Sequence, residues 1–157
     1  FSTFIAQNFG AGQMKRIRDG IRVAVVSATI FCVFISLLVF GFARPLMLIF
    51  VPVHETEIIS IGVQYLRIEG AFYCGIGCLF LLYGFYRGIR KPGMSVVLTV
   101  ISLGTRVALA YALSAIPAIG VVGIWWSIPI GWLLADIVGL WYYRRLFSRV
   151  TRSSIGK

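Results

Sequence analysis

Apolar positions fill four long blocks of the chain, and the polar stretches between them are short and mostly basic. From Val23 to Ala43 there are 21 consecutive residues without a charge, enough to cross the hydrocarbon core of a bilayer as a helix. The second block, Ile58 to Tyr86, exceeds that thickness if helical and carries Arg67 and Glu69 within it. The third, Gly93 to Ala115, is interrupted by Arg106, and the fourth, Val121 to Tyr143, contains Pro129 and Asp136. Residues 1–9 read as the end of a preceding span. The pattern predicts an all-α membrane protein: four complete transmembrane helices (23–43, 58–86, 93–115 and 121–143) plus the end of an earlier one, forming a bundle over residues 10–146 with a basic tail over 147–157. Arg44-Pro45 is expected to end the first complete span, Pro92 to start the third, and Pro129 to kink the last.

Composition agrees: 59% of residues are hydrophobic, 13% are charged and the mean hydropathy is +0.93, well outside the range of soluble domains. The chain opens on Phe1 with no basic start, apolar run and cleavage site of a secretory leader, and it is read as the later part of a longer protein. Its three cysteines all lie in apolar runs and provide no disulfide framework. Cys74 and Cys78 share a helical face, but they lack further ligands for a metal and read as small packing residues.

The net charge of +10 changes the picture only through its placement. Twelve of the fifteen Lys and Arg residues lie at one membrane side if the four spans alternate: Lys15, Arg16, Arg18 and Arg22, then Arg87, Arg90 and Lys91, then Arg144, Arg145, Arg149, Arg152 and Lys157. That is a topology signal and not a nucleic-acid surface. By the positive-inside rule it puts the basic connectors and the C-terminus in the cytoplasm. The Gly10-Ala11-Gly12 run fits neither phosphate-loop pattern, and no nucleophile or acid–base pair stands out, so an enzyme is not expected.

Candidate chemistry therefore rests on charges and hydroxyls inside the spans, which are costly in lipid and face a bundle interior or a wet cavity. Glu69 and Arg106 lie at matching depths, about 14–17 Å from the sparsely charged end, so Glu69 is expected to neutralise Arg106 in a structural pair or gate that also includes Arg67. Ser95, Thr99, Ser102 and Arg106 form a polar stripe, and Asp136 shares a face with Trp125, Pro129, Trp132 and Tyr143. Asp136, Ser95, Thr99, Ser102 and Trp132 are thus candidates for a substrate or proton cavity; the alternatives are an Asp136 near the basic end, solvated or paired with Arg144 or Arg145, and hydroxyls that bond their own helix in ordinary packing. In the second block, Gly70, Cys74, Gly77, Gly84 and Gly88 make a small-residue face for a neighbouring helix, leaving the bulky face with Tyr65, Phe72, Ile76, Leu79, Tyr83 and Tyr86 to lipid.

The run QNFGAGQMKRIRDG, then an apolar span, then YLRIEGAFYCGIGCLFLLYGFYRGIRKP and the Arg106 helix, resembles the multidrug and toxic compound extrusion (MATE) family, more narrowly its bacterial DNA-damage-inducible-protein-F-like branch. The stretch Gln7 to Gly12 with Arg16 is similar to the family's loop between helices eight and nine. Arg87-Gly88 with Pro92 is similar to the loop between helices ten and eleven. The resemblance implies the C-terminal lobe of a twelve-helix antiporter of the inner (plasma) membrane, completed by an N-terminal lobe. Such a protein exchanges H+ or Na+ for cationic or amphipathic compounds by alternating access, with lipid around it and no other cofactor. In some branches an acid midway down helix ten binds the coupling ion; the matching region, Gly75 to Cys78, has none, which moves the expected coupling site elsewhere. A non-transporting membrane scaffold and an exporter of lipid-linked sugars are the competing expectations.

Overall fold

A chain in lipid has no water to satisfy its backbone, so apolar blocks of this length fold as helices. The computed structural model describes the backbone of residues 1–155 and the side chains of residues 1–147. Along it run α1 (Ser2–Gly10), α2 (Met14–Gly41), α3 (Ala43–Leu48), α4 (Thr56–Ala71), α5 (Tyr73–Gly88), α6 (Pro92–Ser114) and α7 (Val121–Ile155), with no strand among the described residues. Three helical stretches, Met14–Gly41, Pro92–Ser114 and Val121–Phe147, are long and apolar enough to cross a membrane. The pair α4 and α5 makes a fourth span if taken together, bent by 49°.

Boundaries differ from the sequence reading in four places. The helix α2 starts at Met14, so Lys15, Arg16, Arg18 and Arg22 belong to its first turns instead of a separate connector. Their long stems allow this, since the charged tips can reach the membrane surface from a helix. The left-handed Gly12, φ 69°, turns the chain between α1 and α2. Arg44-Pro45 does not terminate a span: α2 ends at Gly41, and Pro45 sits in the first turn of α3, where its missing N–H costs nothing.

The block from Ile58 to Tyr86, expected as one helix, is broken at Phe72. Gly70 and Gly75 flank the break, and each weakens a helix interior by about 1 kcal/mol relative to alanine. Finally, α7 passes through Pro129 and continues beyond Tyr143 as far as Ile155. Much of the expected tail is therefore helical; the side chains of Arg149 and Arg152, and all of Lys157, lie outside the described residues.

Packing follows residue size. The small-residue face of the broken span meets its neighbours as predicted: Gly70 and Gly77 lie against Val39 and Cys32 of α2, and Gly84 and Gly88 against Phe1, Ser2 and Ile5 beside and within α1. The bulky face does not simply meet lipid. Leu79 and Tyr86 are buried, and the Tyr86 hydroxyl donates to the Gly139 carbonyl of α7 at 2.6 Å. A glycine at 139 leaves that carbonyl open to a side chain from the next helix.

The helices α6 and α7 form an antiparallel hairpin: Gly123, Gly131 and Gly139 of α7 face Leu113, Ser102 and Leu98 of α6 in reverse order. A Cβ at Gly131 would lie 2.6 Å from the Ser102 carbonyl, so only glycine permits this approach. The contacts of Gly70 with Val39 and of Gly77 with Cys32 likewise run α2 antiparallel to the broken span. Lys91 reaches Tyr142 at 3.2 Å and Arg18 lies over the Phe147 ring at 6.0 Å, which gathers the basic ends of three spans at one end of the bundle.

Candidate functional site: acids at a broken span

The break at Phe72 positions the site. Helix ends leave carbonyls on one side and N–H groups on the other without intrahelical partners. Here Phe72 N–H bonds the Glu69 carbonyl at 3.1 Å and Gly75 N–H bonds the Phe72 carbonyl at 2.9 Å, each one residue short of the α-helical spacing. The end of α4 and the start of α5 thus place polar backbone inside the span.

Facing α5's first turn is α7. A cavity of about 310 Å³ is lined there by Phe72, Gly75, Trp126, Pro129, Ile130, Trp132, Leu133 and Asp136. Asp136 is 7% exposed and its Oδ1 is buried with no hydrogen-bond partner. A Cβ at Gly75 would sit 3.9 Å from Asp136 Oδ2, and the Cys78 thiol lies against the same carboxylate. The positive end of the α5 dipole is therefore close to a buried acid, an arrangement that suits a negative charge or a cation bound to it. Pro129 adds to the polarity, because it cannot bond the carbonyl one turn before it.

A second polar cluster shares Trp132 with this cavity. Glu69 at the end of α4 is 7% exposed, and Arg106 of α6 acts on it electrostatically. No direct ion pair or hydrogen bond joins the two: Glu69 Oε1 and Arg106 Nε are both buried and unpartnered. The Arg106 guanidinium instead lies 6.0 Å from the centre of the Trp132 ring, close enough for a cation–π contact. Trp132 is buried and also walls the Asp136 cavity, so one ring meets both that cavity and Arg106.

The remaining candidates separate. Arg67 does not join Glu69; it is exposed and lies 5.4 Å from the Phe40 ring of α2. Two residues along a helix turn a side chain through about 200°, which sends the neighbours to opposite sides. Arg67 and Arg44 line a larger groove of about 930 Å³ with Thr56, Ser60, Gln64, Phe40, Phe72 and Trp126, and no acid is among its lining residues. The polar stripe of α6 also divides. Ser102 is buried against α7, whereas Ser95 donates to the Tyr83 carbonyl at 3.4 Å and Thr99 meets the Tyr83 hydroxyl at 3.2 Å. Thr99 also donates to the Ser95 carbonyl at 3.0 Å, and none of the three hydroxyls lines the Asp136 cavity.

Sequence reasoning missed Phe72, Gly75 and Cys78 as parts of the site. The signals available were the glycines flanking Phe72 and the Cys74/Cys78 pair, but neither points to Asp136 without the α5–α7 contact.

A bundle of apolar helices with buried charges at a broken span defines a multi-pass membrane protein with a polar interior. The chain belongs to the MatE family, whose model matches residues 1–112, from α1 into the last turn of α6. The members of this family are multidrug and toxic-compound efflux transporters, not enzymes. No curated protein and no solved structure matches the chain.

Proposed function

We propose that this chain forms the C-terminal lobe of a secondary-active antiporter of the DNA-damage-inducible-protein-F-like branch, exchanging H+ or Na+ for cationic or amphipathic compounds by alternating access. The observation that carries the reading is Asp136. In the region where some branches place an ion-binding acid on helix ten, this chain has Gly75 and Cys78, and the carboxylate of Asp136 reaches them from α7. A buried acid with one carboxylate oxygen unpartnered, beside a helix break, has what a coupling ion needs: a charge to neutralise, nearby backbone dipoles and a cavity to enter.

In this mechanism Asp136 exchanges a proton or binds Na+, and the change in its charge alters the packing of α5 against α7. Glu69 and Arg106 follow through Trp132, acting as a gate and not as the ion site. Alternating access then uses the bend at Phe72 as one element that differs between the inward and outward forms. The basic ends of the bundle, with the C-terminus, lie on the cytoplasmic face of the inner membrane.

The test is efflux of a fluorescent cation by the full-length protein in inverted vesicles. Gradient-dependent efflux that Asp136→Asn abolishes supports the reading; efflux that persists after the gradient is collapsed contradicts antiport, and no efflux of any compound would favour a scaffold role.

A second reading, export of a lipid-linked sugar, draws on the groove containing Arg44 and Arg67, whose two cations and absent acids suit a phosphate better than a cationic drug. Efflux of cationic dye that survives Arg67→Gln, with no movement of a phosphate-linked lipid, counts against it.

A further inference from the structure

The basic end of the α6–α7 hairpin carries a pocket of about 330 Å³ lined by Lys91, Trp141, Tyr142, Arg145 and Leu146, with no acid among the lining residues. Both cations are positioned by aromatic rings. Lys91 Nζ donates to the Tyr142 hydroxyl at 3.2 Å and lies 5.6 Å from its ring centre, and the Arg145 guanidinium lies 5.3 Å from the centre of Trp141. Lys91 immediately precedes Pro92 at the start of the 23-residue α6, so the positive end of that helix dipole adds to the same region.

The pocket continues into an apolar track. Leu133, Ile137 and Trp141 recur at four-residue spacing on α7, one helical face, and are 58%, 54% and 57% exposed. An aqueous anion would use the cations and leave this track bare. A lipid uses both, with its head between the rings and its tails along the helix. Two separate cations in one pocket match a headgroup with two phosphates better than one with a single phosphate.

We infer that this pocket binds a diphosphatidyl lipid of the cardiolipin class, with Lys91 and Arg145 holding its phosphates and Leu133, Ile137 and Trp141 carrying acyl chain. The headgroup pocket shares no lining residue with the Asp136 cavity, which the acyl track meets only at Leu133, and the site does not depend on which ion or compound the transporter moves.

The experiment uses the full-length protein in detergent, titrated with cardiolipin, with phosphatidylglycerol at equal phosphate, with phosphatidylcholine, and with inorganic pyrophosphate, following bound lipid by native mass spectrometry and stability by thermal unfolding. Cardiolipin is expected to bind and raise the unfolding temperature more than phosphatidylglycerol, and pyrophosphate to do neither. Lys91→Gln or Arg145→Gln should weaken cardiolipin about 5-fold each and the double variant about 30-fold, as follows from the loss of one or two basic contacts. Arg90→Gln removes a charge from the same turn without touching the pocket and should leave binding intact. Equal binding of phosphatidylglycerol, binding of pyrophosphate alone, or an Arg90→Gln loss as large as that of Lys91→Gln would overturn the inference. Lys91→Arg with Arg145→Lys retains both charges and guards against misfolding: cardiolipin binding within a few-fold of the parent is expected, and its loss in a folded protein also overturns the site.

Discussion

Asp136 of α7 and Gly75 of α5 face each other across the broken span, so closely that a Cβ added at Gly75 would lie 3.9 Å from Asp136 Oδ2. Asp136 thus brings an acid from α7 to a stretch of α5 that has none of its own. Asp136→Asn keeps the shape but cannot gain or lose charge, and it should lower gradient-driven efflux at least tenfold while the protein still folds. Asp136→Glu should retain part of the activity. Vesicle efflux at matched protein levels decides, and an unimpaired Asp136→Asn would remove Asp136 from the mechanism.

Gly75→Val places bulk at the same contact and tests the geometry from the other side. Since the nearest atoms are side-chain atoms of Trp132 and Asp136 at 3.7 to 3.9 Å, a methyl-sized group sits in ordinary contact, whereas the further methyls of a valine would enter the cavity beside Asp136. Gly75→Ala should leave efflux close to normal, and Gly75→Val should impair efflux more than it impairs thermal stability.

Glu69 and Arg106 attract one another without a direct bond, so their coupling should be real but modest. Neutralising either leaves the other without its opposite charge. In thermal or chemical unfolding, Glu69→Gln and Arg106→Gln should each destabilise, and the double variant should cost less than the sum of the singles by about 1 kcal/mol. Strict additivity would show that the two charges act independently.

The α6–α7 hairpin depends on the absence of a side chain at 131. Gly131→Ala puts a Cβ 2.6 Å from the Ser102 carbonyl and should destabilise the protein by about 1–3 kcal/mol. Gly104→Ala, where nothing lies within 4 Å, serves as the control and should be neutral or slightly stabilising. A Gly131→Ala protein that unfolds at the parent's temperature would show that the hairpin opens without cost.

Tyr86→Phe removes one hydrogen bond, the 2.6 Å contact with the Gly139 carbonyl, and leaves the ring in place. A loss of about 0.6 kcal/mol, and no more than about 1.7 kcal/mol, is expected, the mean and the maximum for interhelical hydrogen bonds in membranes. A larger loss would mean that the ring packing itself depends on the hydroxyl.

The amino-acid sequence by itself determined the class of this protein, all-α and membrane-spanning. Uninterrupted apolar length specifies helical spans because lipid offers backbone groups no other partner. The family was legible in the order of the short runs around Gly10-Ala11-Gly12 and Arg87-Gly88, and the glycine face of the second block correctly named the surface packed against α2 and α1. What only the tertiary structure decided is which helices share an interior. Periodicity places Asp136, Cys78 and Gly75 on faces of their own helices but carries no information on how two helices turn towards one another. That rotation is set by side-chain volumes across the interface, with Gly131 against Ser102 and Gly139 open to Tyr86. The same packing brought Asp136 to the break at Phe72 and set Trp132 against Arg106. Those are relations between distant parts of the chain, and a local pattern cannot encode them.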